Sequence, residues 1–282
     1  MSESGMSKSD LHEEHLALGA RMGDWHGVEA PLGYPVGGDA HAALTEGAAL
    51  VDLSGATMLF SSGDPAEAFA GAVFAGEALA VGECSVQAAL VGDGSLAAAP
   101  LVARTGEHEY LAFDVSDRGE TLSAWLSFVS QIEQRGFAPY AGLDCDDVSG
   151  KLVPLALWGA GASAVLSDYA EKSELPGPGR VTNPALDGRI PTIVSCLELL
   201  GAPCYLLLIP PAMARVMWRS LLSFECVAPV GIEGALDLLR DALPWAGRLS
   251  AGKRVELTRG ELADAGLVRA GGGFIGERGL AE

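Results

Sequence analysis

Apolar and polar positions follow two rhythms along this chain. Short apolar bursts cut by glycine dominate one. AALVDLSGATMLFSSGD (48–64) holds two such bursts, broken at Ser54-Gly55, and predicts two short strands joined by a turn. GECSVQAALVGDGSLAAAPLVART (82–105) predicts strand, Gly-Asp-Gly turn and strand, a hairpin pattern. EHEYLAFDVSD (107–117) adds another strand, and IPTIVSCLELLGAPCYLLLIPP (190–211) two more around Gly-Ala-Pro. The second rhythm is helical. DPAEAFAGAVFAG (64–76) opens with Asp at an N-cap position and Pro at the first helical position, a helix start. RGETLSAWLSFVSQIEQRG (118–136) repeats Leu122, Trp125, Leu126 and Val129 at helical spacing. PAMARVMWRSLLSF (211–224) and VGIEGALDLLRDAL (230–243) predict two further helices.

The order strand–helix–strand–strand–helix recurs loosely after DCDDVSGKLVPLALWGAGASAVLSDYA (144–170), which predicts strand, Gly-rich turn and helix. The expectation is an α+β fold, internally duplicated, with antiparallel sheets and packed helices. Residues 1–21 are expected to be a flexible tail, 22–143 a first half and 144–282 a second. SELPGPGRVTNPALDG (173–188) reads as the loop between the halves.

Charge changes the picture of partners. The chain carries 37 acids against 18 bases, a formal charge of −19. Nucleic acid and anionic membranes are poor partners for it. The excess of acids serves solubility or presents a docking surface to a basic partner protein. With 49% hydrophobic and 20% charged residues the chain is globular. Its longest apolar run, CYLLLIPPAMARVMW (204–218), is interrupted by Pro210, Pro211 and Arg215, so no spanning helix is expected. The polar opening MSESGMSKSDLH lacks the apolar centre of a secretory signal, which makes the cytoplasm the expected compartment.

Candidate chemistry is sparse. The five cysteines form no Cys-x-x-Cys pair and the five histidines no His-Glu-x-x-His, so neither zinc nor a disulfide framework is expected. GGDAH (37–41), WGAGASA (158–164) and AGGGF (270–274) lack the spacing of a phosphate-binding loop. Trp125, Trp158 and Trp218 read as core. Trp25 and Tyr34, in the early loop, read as walls of a pocket on which a flat ring could stack.

Several stretches together resemble the folate-binding family of the glycine cleavage system T protein (aminomethyltransferase), which includes iron–sulfur-assembly relatives of the YgfZ type. EAPLGYP (29–35) resembles its Met-Pro-x-x-Tyr loop. EGAALVDLSGATMLFSSGDPAEAF (46–69), LALWGAGASAVL (155–166), GAPCYLLLIPPAMARVMWRSLL (201–222), VGIEGALDLLRDALPWAGRL (230–249) and GGFIGERGL (272–280) follow in the family's order. The resemblance implies a folate-binding, T-protein-like core, with tetrahydrofolate as cofactor. It implies a methyl or aminomethyl transferase acting on a small methylated or aminomethylated substrate, or an inactive folate-binding or accessory subunit of a larger complex. In the family a C-terminal β-barrel follows Phe-Ile-Gly. Here the expectation is a core without it, its place open to a protein partner.

The site residues the resemblance implies are unevenly kept. The hairpin that carries the family's catalytic carboxylate reads GSLAAAP, with Ala97, Ala98 and Ala99 in its place, so the catalytic residue is unknown. Asp93, in the preceding turn, reads as a turn former. Asp114 stands where an Asn contacts the pterin. It reads equally as a ligand for the pterin's N–H donors or as a strand-end acid facing water. Leu199, Ala202 and Leu206 replace polar anchors of the second hairpin, where Gly201 and Tyr205 remain. An apolar wall there leaves open a third reading, a domain that binds no folate. Arg240 keeps the family's Leu-Arg, as a ligand for the benzoate–glutamate tail or as the partner of a neighbouring acid, and Asp241 stands in for the Glu that follows. The expected cofactor-binding set is Tyr34, Asp114, Tyr205, Arg240 and Asp241.

Overall fold

The computed structural model describes residues 6–35, 39–133, 135–171, 174–249 and 254–281. In chain order β1 (Ser7–Lys8), α1 (His12–Ala17), β2 (Arg21–Trp25), β3 (Val28–Gly33), α2 (Ala40–Glu46) and β4 (Ala48–Asp52) come first. Next are β5 (Thr57–Ser62), α3 (Ala66–Val73), β6 (Cys84–Val86), β7 (Ala89–Leu90), β8 (Leu96–Ala98), β9 (Leu101–Gly106), β10 (Glu109–Asp114), α4 (Gly119–Ser130) and β11 (Asp144–Asp147). The remainder holds β12 (Val153–Trp158), α5 (Ala162–Leu166), β13 (Arg180–Thr182), β14 (Ala185–Leu186), β15 (Ile190–Pro191), β16 (Ile193–Leu199), β17 (Ala202–Ile209), α6 (Pro211–Leu221), β18 (Val227–Pro229), α7 (Ile232–Ala242) and α8 (Arg259–Asp264).

The chain divides into two compact units that interleave in sequence: residues 1–55 with 150–244, and residues 56–149 with 245–282. The sequential halves expected at 22–143 and 144–282 do not coincide with them. The reason lies in the two strands read from 48–64. β4 and β5 do not pair with each other; β4 joins β12 and β18 in the first unit, and β5 joins β10 and β11 in the second.

In the first unit six strands pair in the order β13-β16-β17-β12-β4-β18. All pairs are antiparallel except β18 with β4. The central strands β12 and β4 are buried at every position, which is why their sequences are continuous apolar runs and not alternations. α5 and α6 contribute Val165, Leu166, Met217, Trp218 and Leu221 to the core above Leu155, Leu157, Val194 and Leu207. Three smaller strands, β1-β3-β2, form a second sheet of this unit. The β16–β17 hairpin turns through Leu200 (φ 54°) and Gly201 (φ 71°). Two successive positive φ values define the turn that matches strand twist, and glycine adopts such a value without strain.

In the second unit five strands run antiparallel in the order β11-β5-β10-β9-β6. α3 and α4 cover one face, placing Phe69, Val73, Leu122, Leu126 and Val129 against Leu59, Val102 and Ala112. The hairpin expected over 82–105 is a two-tier ribbon: β6 pairs with β9, and β7 with β8 nearer the turn. The last segment packs onto that ribbon, with Leu249, Val255, Leu257, Leu262, Leu267 and Phe274 beside Leu90 and Leu96.

Three expectations are corrected. Residues 6–21 of the supposed tail, the part that is described, form β1 and α1, with Leu11 and His15 fully buried. The Pro/Gly-rich stretch 173–188 carries β13, an edge strand, and β14; residue 173 lies outside the described residues. α3 begins at Ala66 with Pro65 as its N-cap residue, one position later than the Asp-Pro signal suggests. Of GGDAH, Gly37 and Gly38 lie outside the described residues, and Asp39 caps α2 by accepting from the Ala42 amide at 3.1 Å.

Candidate functional site

The first unit holds a chain of buried polar groups. His15 and Asp52 are both 0% exposed. A charge in such a place is stable only when paired and hydrogen-bonded. His15 Nε2 lies 2.8 Å from Asp52 Oδ2. His15 Nδ1 lies 2.8 Å from the Tyr34 hydroxyl. The carboxylate only accepts, so in the neutral ring Nε2–H donates to it and Nδ1 accepts from Tyr34. Burial, followed by the nearby Asp52 charge, raises the Tyr34 pKa, which keeps the phenol protonated and suited to donate. The other carboxylate oxygen of Asp52 accepts from the Ser54 amide at 2.9 Å and the Ser54 hydroxyl at 2.5 Å. Trp218 meets the His15 ring edge-on at 4.9 Å. Glu14, next along α1, takes two 2.8 Å bonds from Arg219 and an ion pair from Arg215 at 3.2 Å. The Arg219 hydrogen bond holds its carboxyl below the ordinary value, against the opposing effect of burial.

This network gathers Tyr34 with residues that sequence reading set aside as tail. The signal present was Leu11 and His15, spaced i, i+4, which falls on one face of α1. Tyr34 turns its hydroxyl inward, so it offers a neighbour its ring and not its oxygen. It also lines a cleft of about 400 Å³ with Arg21, Leu32, Pro35 and Glu233. Trp25, expected beside it in an early loop, is instead the last residue of β2, is buried and stacks on His26.

Tyr205, on β17, is buried, and its hydroxyl lies 2.9 Å from Ser163 Oγ of α5. The three apolar replacements on its hairpin are buried as well: Leu199 is 9%, Ala202 7% and Leu206 6% exposed. Arg240 and Asp241 lie on the exposed side of α7. Arg240 pairs with Asp237 one turn away, and Asp241 lies 3.1 Å from His41 Nε2. The first unit therefore sets Tyr34 and Tyr205 into its core and Arg240 and Asp241 on its surface.

The second unit holds Asp114 at the end of β10, 3% exposed. Of its two readings, the strand-end acid facing water is excluded. Its carboxylate accepts from the Ser116 amide at 3.2 Å and the Ser116 hydroxyl at 2.9 Å. On β8, Ala97 and Ala98 are fully buried. The carbonyls of Leu96 and Ala97 accept from the buried guanidinium of Arg118 at 3.1 and 2.8 Å. A cation therefore lies against the strand where the resemblance calls for a catalytic anion. Asp93 closes its turn through the Ser95 amide and hydroxyl, at 3.0 and 2.6 Å. Among the described residues no group of three His, Cys, Asp or Glu could hold a metal ion, and no helix is long and apolar enough to cross a membrane.

Comparison with known proteins gives this geometry a family. The GCVT N-terminal domain profile matches residues 11–240. An aminomethyltransferase of Symbiobacterium thermophilum is 29% identical over the whole chain, which spans 76% of that protein. One of Streptomyces avermitilis is 27% identical, again over the whole chain and 75% of the relative. The crystal structure of the glycine cleavage system aminomethyltransferase T from Bartonella henselae superposes with a TM-score of 0.68 at 22% identity, over 81% of this chain and 60% of that one. At that identity the likeness concerns the fold.

Proposed function

The chain belongs to the GCVT N-terminal domain family, and from that premise we propose that it is a tetrahydrofolate-linked protein of the one-carbon transferase type, handling a methyl or aminomethyl group. The observation that carries this reading is Asp114. A buried carboxylate at the end of β10 suits the amino and N3–H donors of a pterin ring, which need an acceptor once water is excluded. The fit is unequal. Taken by itself, the first unit fits such a ring poorly, since Leu199, Ala202 and Leu206 would supply it no polar partner, at a cost of about 1–3 kcal/mol for each donor left unpaired. Tyr34 and Tyr205 would contribute ring surface, since their hydroxyls are engaged within the fold. Arg240 and Asp241 would meet an acidic tail only by exchanging their present ion pairs. When bound, the folate would supply the nitrogen that carries the one-carbon unit; this chain's residues would bind and orient it.

A second reading, a folate-binding accessory subunit without turnover, is favoured by β8. A developing positive charge gains from a carboxylate and loses from a guanidinium beside it. Ala97 and Ala98 on β8 supply no such carboxylate. Anaerobic calorimetry with tetrahydrofolate tests both readings. Micromolar binding that falls at least tenfold in Asp114→Ala supports a folate site at β10. Absence of binding to millimolar concentration would sink both.

A further inference from the structure

The second unit holds a cleft that the folate reading leaves unused. Its volume is about 170 Å³, and Ala70 of α3, Phe74, Leu79 and Val102 of β9 give it apolar walls. Tyr110 of β10 lines it too, on the same sheet face as Val102, since Tyr110 pairs with Arg104 and Ala112 with Val102. Tyr110 is 5% exposed, and its hydroxyl has no hydrogen-bond partner among the described residues. Burial holds its pKa above the ordinary phenol value, so the hydroxyl keeps its proton and can donate. Gln87, also in the lining, is 3% exposed. Its Nε2 donates to the Glu77 carbonyl and to Ser85 Oγ, both at 2.9 Å. A carbonyl only accepts, so this fixes the orientation of the amide. Gln87 Oε1 has no donor among the described residues. Buried polar atoms without partners are few in a folded chain, and an apolar cleft with two of them has the composition of a small-molecule site.

The walls are held in place, and their charges are engaged. Arg104 donates to the Leu79 carbonyl at 3.0 Å and to Glu67 at 2.9 Å, and its guanidinium lies 5.4 Å from the centre of the Tyr110 ring. Arg269, at the rim, donates all five of its N–H groups to the carbonyls of Gly71, Phe74, Gly76, Gly272 and Gly273. An anion entering the cleft would lose hydration with no guanidinium N–H left to replace it, and a cation would meet Glu67 already paired. Size narrows the ligand further. A cavity of about 150 Å³ takes one benzene ring, so this one suits a single ring with a short substituent and is too small for a pterin with its tail. We infer that the cleft binds an uncharged single-ring carboxamide, its carbonyl accepting from the Tyr110 hydroxyl, its N–H donating to Gln87 Oε1, and its ring resting against Phe74, Leu79 and Val102. The proposal stands apart from the folate reading, whose residues do not line this cleft.

Calorimetric titration of the full chain with benzamide tests it, with benzoate and benzylamine as charged counterparts of the same ring. Benzamide is expected to bind with a millimolar or lower dissociation constant, at least tenfold tighter than either counterpart. Tyr110→Phe removes the hydroxyl, keeps the ring, and should weaken benzamide at least fivefold. Gly71 also lines the cleft, and a Cβ there would meet nothing within 4 Å, so Gly71→Leu should obstruct the cleft without disturbing the fold and weaken binding at least tenfold. Tyr140→Phe, which removes a phenol hydroxyl elsewhere in the same unit, should leave binding within twofold. Excess tetrahydrofolate should leave it unchanged. Absence of benzamide binding to tens of millimolar, tighter binding of benzoate or benzylamine, unchanged binding in either cleft variant, an equal loss in Tyr140→Phe, or competition by tetrahydrofolate would each overturn the proposal. Circular dichroism checks that each variant keeps the fold.

Discussion

Asp52→Ala is the most informative perturbation of the first unit, because the structure says what each lost atom was doing. The carboxylate accepts from His15 Nε2 at 2.8 Å and twice from Ser54, and both His15 and Asp52 are completely buried. Alanine removes all three acceptors at once and leaves a buried imidazole N–H with none. A buried donor left without its acceptor costs about 1–3 kcal/mol, and with the imidazole N–H and the two Ser54 donors losing theirs together the loss is expected at about 3–5 kcal/mol, well above the about 1 kcal/mol net worth of one ordinary hydrogen bond. Asp52→Asn separates charge from connectivity. The amide oxygen keeps both Ser54 bonds, and its NH2 can donate to Nε2 if the ring takes the other tautomer. Nδ1–H then donates to the Tyr34 oxygen, which leaves the Tyr34 hydroxyl hydrogen as the single unpaired group, at about 1–3 kcal/mol. Urea unfolding followed by tryptophan fluorescence reads the difference, since Trp218 rests against His15. A loss of 3–5 kcal/mol corresponds to roughly 6–20 °C in thermal midpoint for a unit of this size. The reasoning fails if Asp52→Ala costs under about 1 kcal/mol, or if alanine and asparagine cost the same.

Two further outcomes follow from the packing. Glu14 has its pKa lowered from 4.5 by the hydrogen bond from Arg219. A depressed carboxylate stabilises the fold in full above its unfolded value and loses that contribution as pH falls through the folded value. Unfolding titrations should therefore show stability declining below about pH 4.5, and Glu14→Gln should flatten that limb; an unchanged slope would refute the pair's role. Gly47 approaches backbone so closely that a Cβ there would lie 2.0 Å from the Cys226 carbonyl oxygen. Gly47→Ala should cost about 1–3 kcal/mol in the same urea assay by forcing β18 from β4, whereas Gly92→Ala, with nothing within 4 Å, serves as the control.

Much of the fold was legible because the helices and hairpins are locally encoded. The periodic apolar faces of 118–136, 211–224 and 230–243 became α4, α6 and α7 within a few residues. The hairpin around Gly201 formed where glycine permits two successive positive φ values. The site was less legible. Asp114, Tyr205 and Arg240 were singled out by their neighbours in sequence, yet a sequence does not say whether a hydroxyl or guanidinium is already engaged. Ser163 and Asp237 engage two of them here.

What the chain determined by itself is therefore local and chemical: which stretches coil, which extend, where the acids outnumber the bases, and that Ala97 and Ala98 stand on β8. Tertiary structure decided the rest, because its cause is pairing between residues far apart in sequence. It sent β4 and β5, four residues apart, into different sheets. It buried a polar opening segment by giving His15 an acceptor 37 residues away. It set Arg118 against the Leu96 and Ala97 carbonyls, more than 20 residues earlier. A periodic pattern reports which face of an element is apolar. Only the assembled fold reports what that face meets, and burial then decides whether a polar atom is a structural partner or a site.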